Sequence, residues 1–170
     1  MNLKQEMREM FEKHPAMEFN ERNSRFEDGL LEKIINLTFA GLCTFSSRRW
    51  QIVAVRTPLM LQKLYRLLDD RRILESSVAL LVTHPIPGPD SGSFEADIGL
   101  LSLSLAHSAK YYCIGSFSTR NFSSDALIRE FALEPLCPVY AVAGLGTYQE
   151  ASVPLAAHAR YVYSDIVKEL

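Results

Sequence analysis

What this 170-residue chain has little of narrows its chemistry first. It has three cysteines, Cys43, Cys113 and Cys137, widely spaced and without a CxxC pair. An odd, scattered set argues against a disulfide framework and a thiolate zinc site, and it fits a reducing cytoplasm. The histidines stand at 14, 84, 107 and 158, with no pair at metal-ligand spacing. No apolar run approaches the roughly 20 residues that a membrane-spanning helix needs. The opening MNLKQEMREMFEKHP is polar and amphipathic, without the apolar core of a secretory signal. A net charge of −2 gives no basic field for nucleic acid or an anionic membrane. GxSxG, GxxxxGKS/T and HExxH are all absent. Gly144-Leu145-Gly146 lacks the third glycine and the following helix of a dinucleotide loop, and reads as a turn where a strand ends.

With 48% apolar and 22% charged residues, the composition is that of a globular protein, and the length predicts one domain over residues 1–170. Residues 2–13 read as a short helix with Met7, Met10 and Phe11 on one edge. Asp28 is a candidate N-cap for a helix that puts Leu31, Ile34, Ile35, Thr38 and Leu42 on one face. Trp50 to Val55 reads as a strand, and Pro58 opens the next helix. SSVALLV is apolar on both faces after its serines, which predicts a central strand. THPIPGPDSG is a loop. Ser93 can cap a helix running to about Ala109; small or apolar all round, it reads as buried, with Gly99 marking a close backbone approach. YYCIGSFS is a strand or loop, SSDALIREFAL a capped helix ended by Pro135, and PVYAVAGLG a further strand. The tail, ARYVYSDIVKEL, ends in a short helix. The whole is α+β.

Several features have plain readings. His107, mid-helix among apolar residues, reads as a buried, satisfied side chain. Asp69-Asp70-Arg71-Arg72 reads as a solvated helix end, and Cys113 as a small inert hydrophobe. Less ordinary are three places where arginine meets hydroxyl or amide groups: Arg22-Asn23-Ser24-Arg25, Ser46-Ser47-Arg48-Arg49, and Arg160. A guanidinium is a rigid fork of donors suited to phosphate, and serine adds a neutral donor. Brought together, they would make a phosphate or cofactor site; kept apart, each is a polar loop.

The order of these segments resembles the nitroreductase family of FMN-dependent oxidoreductases. Gly41-Leu42-Cys43-Thr44-Phe45-Ser46-Ser47-Arg48-Arg49-Trp50 is similar, without a gap, to that family's Ala-Pro-Ser-Ser-x-Asn-x-Gln-Pro-Trp stretch, and Thr57-Pro58 to the Asp-Pro that ends its strand. Asp97-Ile98-Gly99 resembles the start of its central helix, and Cys113-Ile114-Gly115-Ser116-Phe117 its Trp-Ile-Gly-Gly-Phe loop. The likeness spans residues 17–170. Ser46 stands where the family has Asn, and Arg48 where it has Gln.

The resemblance implies a central, mostly antiparallel sheet flanked by helices, with a buried central helix, and a homodimer with FMN at its interface. It places Arg22, Ser24 and Arg160 at the FMN phosphate and ribitol, with Asn23 beside them and Arg25 as the alternative. Ser46 and Arg48 would approach the flavin from the second subunit, and the backbone of Gly115 and Ser116 would lie near N5. The implied reaction is ping-pong, with NAD(P)H as donor and a nitroaromatic, quinone or similar small molecule as acceptor. A flavin-binding protein without catalytic activity is the alternative.

Overall fold

A run such as VALLVT, apolar up to its final threonine, is stable as a strand only where both of its faces are covered. In the computed structural model it is covered at every position. The structure describes residues 28–40, 50–85 and 94–147, all within one compact unit, Glu18–Gln149. The expected helix at 2–13, Leu42, Cys43, most of the proline-rich loop and the C-terminal tail lie outside the described residues.

Four strands, β1 (Gln51–Val55), β2 (Val78–Thr83), β3 (Gly115–Thr119) and β4 (Val139–Gly146), form one antiparallel sheet in the order β1-β2-β4-β3. The helices are α1 (Asp28–Ala40), α2 (Pro58–Leu68), α3 (Arg72–Glu75), α4 (Phe94–Tyr111) and α5 (Ser124–Phe131). Alternation along β2 sorts them into two layers. Ala79 and Leu81 pack with Leu61, Leu64 and Leu68 of α2, Ile73 of α3 and Leu127 of α5. Val78 and Leu80 pack with Leu31 and Ile34 of α1 and Leu105 and Ala109 of α4. The sheet is thus the middle of three layers, and α+β describes the fold.

Local chemistry sets the boundaries. Thr57 caps α2 by accepting from the Met60 N–H at 3.3 Å, and Pro58 occupies the first turn, where its missing N–H costs nothing. The helix ends at Asp69, left-handed at φ 53°. Ser123 caps α5 in the same way, but Ala132, at φ 49°, stops it before Pro135 is reached. Along α1 the expected face is buried at Leu31, Ile34 and Thr38 and half-buried at Ile35. Ser104 of α4 donates to the Thr38 carbonyl at 2.8 Å, tying the two helices together.

Three expectations about glycine and burial are corrected. The helix α4 buries one stripe, through Ile98, Leu101, Leu105 and Ala109, while Leu100 and Leu103 remain 46% and 51% exposed. Uniform apolarity does not make uniform burial when only one side meets the sheet. Gly99 lies on the open side, where a Cβ would meet nothing, so no backbone approach explains it. Gly144-Leu145-Gly146 is not an exit turn but the last three residues of β4, paired with Ala79 and Phe117 at Gly144 and with Gly115 at Gly146. The close approach is at Gly144, where a Cβ would overlap the Phe117 ring and the Ser76 hydroxyl.

Candidate functional site

The last turn of α4 closes with the Cys113 N–H bonded to the Lys110 carbonyl at 2.8 Å and the Ile114 N–H to that of Ala109 at 2.9 Å. This is a Schellman pattern, and Cys113 takes its left-handed position at φ 55°. Glycine usually stands there because a Cβ is strained in that conformation. Cys113, read from the sequence as a small inert hydrophobe, is exposed; the hydrophobic anchor of the motif is Ile114, buried with Ala109.

The reversal delivers the chain into β3 at Gly115 and Ser116. Gly115 is buried opposite Gly146, so two facing positions carry no side chain. Ser116 faces Leu145 across the ladder and therefore shares the α1/α4 side of the sheet. Its Oγ is buried and has no hydrogen-bond partner, the one such side-chain atom among the described residues. Nothing in the spelling of IGSF marks this, since it depends on what surrounds the hydroxyl.

Phe117, next along, turns to the opposite face. The Arg72 guanidinium lies 4.4 Å from its ring centroid, a cation–π contact, and forms a two-pronged ion pair with Asp70 at 2.9 and 2.6 Å. Asp70 also accepts from the Arg72 backbone N–H at 3.1 Å. The hydrogen bonds from Arg72 hold the Asp70 carboxyl below its ordinary pKa, and the same pairing raises that of Arg72. The expected solvated helix end is thus an organised pair braced on β3.

Beyond the far end of β2, His84 is 8% exposed. Its ring stands 4.7 Å from that of Trp50, and its Nδ1 donates to the Pro85 carbonyl at 2.5 Å. Trp50, the only tryptophan of the chain, packs against Val82, Ile98, Leu101 and Ala141 and anchors the entry to β1, which begins one residue later than expected. His107 is half-buried on α4. Cys137 is buried; burial, then its hydrogen bond to Glu134 at 3.5 Å, pushes its thiol above the ordinary value, which makes it a poor nucleophile at neutral pH. Among the described residues no cluster of three or more His, Cys, Asp or Glu could hold a metal ion, and no helix is long and apolar enough to cross a membrane.

Of the candidate residues named from the sequence, Gly115 and Ser116 are therefore placed, side by side at the start of β3, an edge strand among the described residues. Arg22, Asn23, Ser24, Arg25, Ser46, Arg48 and Arg160 lie outside the described residues.

No family model matches the sequence, and no curated protein matches it. The fold, in contrast, is found among solved structures. A nitroreductase-like protein from Streptococcus mutans superposes with a TM-score of 0.79 at 11% identity, over 99% of this chain and 100% of the other. A protein described as an NADH dehydrogenase/NAD(P)H nitroreductase, from Parabacteroides distasonis, gives 0.74 at 18% identity over 96% and 97%. One described as a nitroreductase in complex with FMN, from Exiguobacterium sibiricum, gives 0.75 at 14% identity over 96% of each chain. The chain therefore has the nitroreductase-like fold that its segment order resembles.

Proposed function

We propose that this nitroreductase-like chain is an FMN-dependent oxidoreductase, passing two electrons from NAD(P)H to a nitroaromatic, quinone or similar small acceptor. The observation that carries the reading is the fold, shared over 96% of both chains with a protein solved in complex with FMN. Gly115 and Ser116 fit such a ligand. One carries no side chain, and the other holds a buried hydroxyl with no partner among the described residues.

The whole chain acts as one FMN-binding domain in the cytoplasm, which its cysteine usage fits. Arg22, Ser24 and Arg160 hold the phosphate and ribitol, with Asn23 beside them and Arg25 taking over if the register shifts. Charge-assisted donors suit a phosphate that is close to doubly charged. Ser46 and Arg48 belong to the other subunit's site in a homodimer. A cation at position 48, where relatives have a neutral amide, favours negative charge on the ring. When bound, FMN supplies the two-electron chemistry; the protein binds, orients and excludes water, and no side-chain acid or base is assigned. Exposed Leu100 and Leu103 on α4 support a dimer by offering apolar surface for a second copy.

The test is optical. The purified protein should carry flavin absorbance or acquire it with added FMN, and NAD(P)H should bleach it without oxygen. A colourless protein that takes up no FMN would sink the reading. The substitutions at Ser46 and Arg48 favour a second reading, a flavin-binding protein without turnover. Its signature is a yellow protein that NAD(P)H does not bleach.

A further inference from the structure

We infer that the Ser116 side chain is itself a ligand contact, a hydroxyl kept for a polar atom of the bound cofactor rather than for the protein. The inference rests on the FMN reading above and adds a side-chain contact to the backbone one.

Several other hydroxyls in the covered parts of the described fold are used. Thr38 Oγ1 donates to the Ile34 carbonyl at 2.8 Å, Ser76 Oγ to that of Arg72 at 2.8 Å, and Thr83 Oγ1 to that of Gln51 at 3.3 Å. Ser104 Oγ bonds the Thr38 carbonyl, and Ser124 Oγ accepts from the Val139 N–H at 2.8 Å. Among the described residues, Ser116 Oγ alone is a buried side-chain atom without a partner. A hydroxyl left so destabilises the fold, whereas alanine in its place costs little or nothing. The rest of the residue is only half-buried, and among the described residues β3 is an edge strand, which leaves a ligand an approach from outside the described sheet. Gly115 and Gly146 adjoin Ser116 as a facing pair without side chains. A hydroxyl both donates and accepts, so it can serve a ring heteroatom that is an acceptor when oxidised and carries a proton when reduced.

The test compares wild type with Ser116→Ala, first ligand-free and then titrated with FMN. Two opposite changes are expected. The ligand-free variant should melt at the same temperature as wild type or slightly higher, because an unsatisfied hydroxyl has gone. Its Kd for FMN, read by flavin fluorescence, should rise about tenfold, the scale of one hydrogen bond. Ser116→Thr, which keeps the hydroxyl, should bind more tightly than Ser116→Ala. If wild type binds FMN and Ser116→Ala binds it equally well, the inference is wrong while the FMN reading stands. A ligand-free variant that is clearly less stable also overturns it, since the hydroxyl would then already be satisfied, for instance by a buried water. If wild type takes up no FMN, the functional reading fails and this inference with it.

Discussion

Asp70 and Arg72 show how much one residue's neighbours decide. In the sequence they belong to a run of two acids and two bases; in the structure they form a bidentate pair seated on the Phe117 ring. The depressed pKa of Asp70 has a definite sign as a stability term. Its contribution is fully present above the ordinary carboxylate value of 3.8 and is lost as pH falls through the lower folded value. Asp70→Asn keeps an acceptor for the backbone N–H of Arg72 but removes the charge. It should lower the melting temperature at pH 7 by an amount corresponding to at most about 1 kcal/mol, since Arg72 is half exposed and solvent screens the pair. The two melting curves should converge well below pH 3.8. A constant gap across a pH series would show that the charge is not the cause. The candidate site was legible at this scale in residue type alone. Gly115-Ser116 could be named from its likeness to a family loop, but an unpartnered hydroxyl is a property of its surroundings.

Among the elements, helices were easier to read than their burial. Pro58 and the serines before α5 marked helix starts because capping is local chemistry, settled within three or four residues. Strand β2 was recognisable as central from its apolar run. The GxG of β4 was misleading, because glycine serves turns and close contacts alike, and only the partner strand tells them apart. Its role now gives a prediction. Gly144→Ala should cost about 1–3 kcal/mol in denaturant-induced unfolding, as Phe117 and Ser76 are pushed aside. If stability is unchanged, the ring has room to turn, and the tightness of the β3–β4 contact is not what selects glycine.

At the scale of the molecule, the open feature is the outer side of α4. Leu100, Leu103 and Tyr111 recur at helical spacing along one stripe, with exposures of 46%, 51% and 75%. Under the homodimer reading this stripe is covered by a second copy. Leu103→Glu should then move the protein from dimer to monomer in sedimentation velocity at micromolar concentration, with little change in helix content. Wild type sedimenting as a monomer would remove both the dimer and the role given to Ser46 and Arg48 in the other subunit's site.

Amphipathic periodicity, caps and an unbroken apolar run were enough to order the elements of the described chain apart from α3, which none of them marked, and β3, whose sequence reads as strand or loop, because each signal depends on residues a few positions apart. Segment order was enough to resemble a known fold that no sequence model detects at 11–18% identity among the structures compared. Tertiary structure alone decided which side of α4 meets the sheet, why Gly144 has no side chain, how Arg72 comes to lie on the Phe117 ring, and that Ser116 keeps a hydroxyl which no other described residue satisfies. Each is a contact between residues distant in the chain or a packing vacancy, and neither is written in any local pattern.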